Sequence, residues 1–259
     1  MVWVTGNYRG PIALQITGEQ ITAMKCKTHQ IRVVGLALLM CLPGVYPSEA
    51  LADAHMVTCD LTNFTVEAET TAEAQAICQL VSDALPQLQD CHMPVKLPVK
   101  ITVSDELRGV GPRCLGYYHC DSSEIYVRSA EGMAQSIDPE GAYSQIETGV
   151  FFESIVVHEL AHALFQQNAC VSAVCADNHE YVAHAIQMAW LPEDARAQIV
   201  QEYPQEPPID PMLLNGFIAA MAPDRYAALV WQHFSEPENG CNFVQRLLIG
   251  ETTLQIFPN

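Results

Sequence analysis

Two histidines four positions apart, with a glutamate directly after the first, stand in the stretch ESIVVHELAHALFQQ, Glu153 to Gln167. On a helix, His158 and His162 lie about 40° apart around the axis and one turn apart along it, so both imidazoles can reach one ion. Glu159 points about 100° round from His158, close enough to hold a water on that ion without ligating it. In this His-Glu-x-x-His pattern two imidazoles hold a zinc and the glutamate acts as general base. The neighbouring residues Val156, Val157, Leu160, Ala161 and Leu164 are apolar. A buried helix does not accept two histidines and a glutamate without partners, because unpaired polar burial is costly. A metal ion would be such a partner.

A catalytic zinc wants a third protein ligand and an open position for water. In one common pattern a histidine follows six residues after the second, with a glycine between. Phe165 and Asn168 occupy those two positions, so that pattern fails. The other source is a glutamate about one helix further along, and DNHEYVAHAIQ supplies Glu180, with 17 residues between it and His162. Asp177 and His179 stand close enough in sequence to remain alternatives.

On these residues the chain resembles the gluzincin-type zinc metallopeptidases over roughly residues 95–191. The resemblance implies a zincin-like α+β fold and one Zn2+ per chain. It implies His158, His162 and Glu180 as ligands, Glu159 as general base, and a peptide or protein as substrate. It also implies a short strand lining the cleft just before the motif helix, a place that SEIYVRS fills. Family members often carry an acidic residue four positions after the third ligand, bonded to a ligand histidine. Here that position is His184, which could accept such a bond or compete for the metal. The implied chemistry is metal-assisted hydrolysis, with Glu159 taking the proton from water. An oxyanion donor is also needed; Tyr117, Tyr118, Tyr181, Tyr226 and His233 are candidates by type, and spacing does not choose among them. His55, His92 and His119 read as ordinary histidines.

Several elements must position these groups. TTAEAQAICQLVSDALPQLQDC carries apolar residues at Ala74, Ile77, Leu80, Val81, Ala84 and Leu85, which is helical spacing, with Thr70 or Thr71 as cap and Pro86 bending or ending it. VKLPVKITVSD alternates at Val99, Ile101 and Val103 as a strand does, and SEIYVRS is a second short strand. Residues 55–69 read as an extended lead-in and 130–143 as a surface loop. The motif helix is expected from Tyr143 or Ser144 to about Gln167. A second helix carries Glu180, a third covers PEDARAQIVQEY, and helical patterns follow the proline-rich PQEPPIDP at about 211–221, 224–234 and 238–249. The expected organisation is one zincin-like domain over 55–259. An α/β part with the motif helix (55–168) precedes a helical part (169–259).

The segment before that domain reads as an export signal. From Met24, Lys25, Lys27 and Arg32 precede an apolar run of ten, Val33 to Leu42, broken by Pro43-Gly44 and followed by small residues at Ala50, Ala52 and Ala54. Cleavage is expected after Ala54 or Ala52, with residues 24–54 as signal peptide and 1–23 as an upstream translation artefact. Ten apolar residues cannot cross about 30 Å of hydrocarbon, so no stable membrane span is expected and the mature product is secreted or periplasmic. Of ten cysteines, Cys26 and Cys41 fall in the signal, leaving an even eight. In an oxidising compartment these read as disulfides, with Cys114–Cys120, Cys170–Cys175 and Cys78–Cys91 as plausible pairs. Acidic residues outnumber basic ones 30 to 12, which argues against nucleic acid as a partner. No Gly-x-Ser-x-Gly elbow appears in the mature chain. The leading expectation is an exported zinc peptidase. The alternatives are a zinc-binding structural protein without hydrolytic activity and an interaction module carrying the motif by chance. Oligomeric state is not legible.

Overall fold

The computed structural model describes residues 55–60, 63–107, 110–111, 113–169 and 176–254, all within one compact unit. The expected leader, the segment upstream of it, and the Cys170–Cys175 pair lie outside the described residues. The architecture is α+β, a five-stranded mixed sheet followed by helices.

The strands are β1 (His55–Thr58), β2 (Phe64–Ala68), β3 (Val99–Ser104), β4 (Gly116–His119) and β5 (Glu124–Arg128), in the order β1-β2-β3-β5-β4. β2, β3 and β5 run parallel, while β1 and β4 pair antiparallel at the two ends. Val99, Ile101, Val103, Ile125 and Val127 are buried, and Lys100, Thr102, Glu124 and Tyr126 alternate with them on the half-exposed face. One face of the sheet therefore carries the core, as strict alternation requires. The 55–69 segment, expected as an extended lead-in, makes two strands, and β4 falls in a stretch to which the sequence reading assigned no element.

Helix α1 (Thr71–Asp90) is the crossover from β2 to β3. Thr70 caps it by accepting the Glu73 N–H at 3.1 Å, and the Glu73 carboxylate reaches back to the Glu69 N–H at 3.2 Å. Of the two outcomes expected at Pro86, a bend or an end, the end is not found: the proline is exposed and the helix runs on to Asp90. Water can satisfy the carbonyl the ring leaves unpaired, and Leu85 and Leu88 are buried on either side. The expected loop at 130–143 holds a short helix, α2 (Ala130–Ala134), and a 3-10 turn at Ala142–Gln145.

The motif helix α3 spans Thr148–Asn168 and starts later than expected. Ile146 is extended, and the Glu147 side chain accepts the Val150 N–H at 2.9 Å, which fixes the N-terminus there. Twelve consecutive residues, Ser154 to Phe165, are buried, so α3 is the central element of the domain. Its far end is tied to the segment leading into β3. Gln167 Oε1 accepts from the Lys96 and Leu97 N–H groups, and the Asn168 amide donates to Pro94 O. Helix α4 (Ala176–Trp190) packs along α3, and α5 (Glu193–Glu202), α6 (Gly216–Met221), α7 (Pro223–Phe234) and α8 (Gly240–Leu248) complete the fold. Among the described residues no helix is long and apolar enough to cross a membrane.

Among the described residues two disulfides are present, Cys59–Cys78 and Cys91–Cys241. The first ties the β1–β2 turn to α1, the second the end of α1 to the start of α8. They replace the expected Cys78–Cys91 pair, since the two cysteines sit more than three helical turns apart along α1 and each finds a partner from another element. Cys114 and Cys120 are not bridged to each other either; β4 lies between them, and its extended backbone carries the two apart.

Candidate metal centre

α3 and α4 bring the site together. His158 and His162 project from α3 toward α4, and Glu180 projects back from the first turns of α4. The His158, His162 and Glu180 donor atoms all lie within 4.8 Å of one another. The two Nε2 atoms are 3.1 Å apart, and His162 Nε2 is 3.9 Å from Glu180 Oε1. Two ligands on a tetrahedral zinc, with bonds of about 2.0–2.2 Å, lie roughly 3.3–3.5 Å apart, so side-chain shifts of about 1 Å bring this triangle to that geometry. All three residues are at most 6% exposed.

The electrostatics suit a cation. Burial pushes the His158 imidazole down to about 3, opposed by its bond to Gln187. Burial also holds His162 well below the usual range, helped by His158, His179 and His184 around it. Burial and then Asp177 push Glu180 up to about 8, and burial with Glu180 beside it raises Glu159 well above the carboxylate range. Burial thus favours the uncharged form of each group, and a cation among them would instead favour the ionised carboxylates. What the pocket offers is lone pairs in a dry place. His162 Nδ1, Glu180 Oε2 and Glu159 Oε2 are buried without a hydrogen-bond partner, a costly arrangement for polar atoms. The donor set fits a divalent cation that prefers nitrogen and oxygen ligands.

Glu159 leans the other way, toward β4. The Tyr118 backbone N–H donates to its carboxylate, and Gly116 makes room for it: a Cβ at that position would stand 2.9 Å from Glu159 Oε1 and 3.0 Å from Cγ. The ladder explains the geometry. The Arg128 N–H donates to Leu115 O, so Leu115, Tyr117 and His119 face β5, and the Gly116 and Tyr118 backbone groups point off the open edge. The strand expected to line the site was SEIYVRS; the one that reaches Glu159 is β4, because β5 is internal to the sheet and β4 is its edge.

The remaining candidates separate. Tyr117 stacks on Tyr126, ring centroids 4.9 Å apart, on the sheet face opposite α3. Tyr181 and His233 share a buried hydrogen bond of 2.8 Å and pack on Phe243 between α4, α7 and α8. These three are therefore committed away from the metal-ligand triangle. Asp177 accepts the Gly216 N–H at 2.7 Å and is not among the converging donors. His179 packs between Phe165 and His162. His184 does belong to the cluster, with its ring 4.7 Å from that of His158 and Nε2 3.8 Å from Glu180 Oε2. Tyr226 packs on its far side.

Two residues that the sequence reading passed over complete the arrangement. Gln187 Oε1 lies 2.9 Å from His158 Nδ1, the Gln187 amide donates to Ser154 Oγ at 3.2 Å, and the Ser154 hydroxyl donates to Phe151 O at 2.7 Å. The signal was present: Gln187 falls seven residues after Glu180, two turns along the same helix face, inside an otherwise apolar run.

Fold and site define an α+β protein whose central helix and its neighbour bury a two-histidine, one-carboxylate group able to hold a metal ion. The chain belongs to the family of unknown function DUF6639, whose pattern matches residues 64–257. No curated protein and no solved structure matches it.

Proposed function

We propose that this protein is an exported zinc-dependent peptidase of the gluzincin kind, on a zincin-like α+β fold. The observation that carries the reading is the convergence of His158, His162 and Glu180 within 4.8 Å beside a fourth buried group, Glu159, whose Oε2 has no hydrogen-bond partner. Three protein ligands and an adjacent carboxylate are the parts that hydrolytic zinc sites use. Zinc held there would supply Lewis acidity and acidify a bound water. Glu159 does the proton work. The Tyr118 N–H and Gly116 fix one side of its carboxylate, and Oε2, kept ionised by the neighbouring cation, would accept a proton from the attacking water and return it to the departing amine. The dry surroundings strengthen each of these interactions. The two disulfides accord with an oxidising compartment and so with export.

One observation favours a second reading. His184 Nε2 lies 3.8 Å from Glu180 Oε2, and a fourth protein ligand there would close the site and make the ion a structural brace. One experiment separates the two: zinc content and cleavage of a mixed peptide pool for the wild type and for Glu159→Gln. The peptidase reading expects one zinc per chain in both, with cleavage lowered about 10²- to 10⁴-fold in the variant. Zinc in both with no turnover in either supports the structural ion. Turnover indifferent to Glu159→Gln overturns the proposed mechanism.

A further inference from the structure

We propose that Gln187 is the positioning residue for the first metal ligand, dictating which imidazole nitrogen of His158 carries the proton. The inference deepens the metal-centre reading and rests on it for the ligand role of His158. It stands on a chain of donors and acceptors with one consistent orientation. Phe151 O can only accept, so the Ser154 hydroxyl donates to it at 2.7 Å. The Ser154 oxygen then takes an N–H from the Gln187 amide at 3.2 Å, which turns Oε1, an acceptor, toward His158 Nδ1 at 2.9 Å. His158 Nδ1 must therefore donate, and Nε2 presents its lone pair toward His162 and Glu180. Ser154, His158 and Gln187 are each 0% exposed, so water offers no substitute for any of these bonds.

Two features make this more than ordinary packing. The residue four after Glu180, where the gluzincin-like pattern places an acidic partner, is His184, and it takes no part in the bond to His158 Nδ1. The function has moved three residues along α4. The partner has also changed in kind. An amide accepts the Nδ1 proton without bringing a negative charge, so the pocket holds Glu159 and Glu180 as its carboxylates and gains no third from this position. A side chain that fixes a ligand's tautomer in this way typically changes metal affinity 10- to 100-fold when lost.

The test uses the full exported chain, metal-free and zinc-loaded, with nitrogen NMR of His158 and a competition titration for zinc. In the metal-free wild type His158 is expected as the Nδ1–H tautomer. Gln187→Met keeps the length and removes the acceptor, and should mix the tautomers and weaken zinc binding 10- to 100-fold. Gln187→Glu restores an acceptor and should recover both the tautomer and zinc binding at least as tight as the wild type. Should the Met variant not fold, Ser154→Ala frees the amide to turn and should mix the tautomers with a smaller loss of affinity. An Nε2–H tautomer in the wild type overturns the inference. So does a Met variant with wild-type tautomer and affinity, or a Glu variant as weak as the Met. A wild type that takes up no zinc defeats the metal-centre reading instead, while the metal-free NMR still decides the role of Gln187.

Discussion

Gly116→Ala tests how the general base is held. The added methyl would stand 2.9 Å from Glu159 Oε1, 3.0 Å from Cγ and 3.3 Å from Cδ, against ordinary contacts of about 3.5–4.0 Å. The carboxylate must therefore move by roughly 0.5–1 Å, and displacement on that scale costs a reacting group up to about 100-fold. The strand itself loses nothing, because Gly116 sits in β4 with no left-handed backbone angle. The methyl also falls on Glu159 and leaves the ligands untouched. We expect kcat to fall about 10- to 100-fold, KM and zinc affinity to stay within about threefold, and Tm to change by only a few degrees. Steady-state kinetics on a cleaved peptide, zinc competition and a melting curve give all four. A variant with wild-type kcat refutes the placement of Glu159 against β4. One that loses zinc along with activity shows that Gly116 supports the ligands instead.

Zinc at about 100 times its Kd should stabilise the metal-free protein by about 2.7 kcal/mol, a rise of about 5–10 °C in Tm for a domain of this size. His162→Ala and Glu180→Ala should abolish that rise. Peptide mapping without reduction should recover Cys59 linked to Cys78 and Cys91 linked to Cys241. Removing the second bridge as Cys91→Ser with Cys241→Ser should cost about 5 kcal/mol on the loop-entropy account, since it closes a loop of 150 residues. A loss below about 1 kcal/mol would contradict that account.

Much of the site could be read from the chain because a helix repeats. His158 and His162 share a face by spacing alone, and Glu180 lies one short connection away on the next helix, so few arrangements keep the three apart. What escaped the reading depends on partners distant in sequence. β4 is four residues long and starts at a glycine, too short for its alternation to stand out, and its role depends on being the sheet edge. Gln187 looks like a stray polar residue until α3 is laid beside α4. Tyr181 and His233 have the right chemistry for an oxyanion donor, yet Tyr181 turns about 100° from Glu180 around α4 and so meets α7 instead. Cysteines close in sequence suggested local bridges, whereas Cys91 at the end of α1 and Cys241 at the start of α8 are brought together by the tertiary fold. Pro86 shows a breaker overruled by packing, with Leu85 and Leu88 buried beside it.

The central claim is that His158, His162 and Glu180 share one ion. Anomalous diffraction from crystals of the zinc-loaded protein, at the zinc absorption edge, tests this most directly. The account predicts one peak per chain, about 2.0–2.2 Å from the two Nε2 atoms and a Glu180 oxygen. A peak elsewhere, or density at this position that Glu180 does not touch, would contradict it.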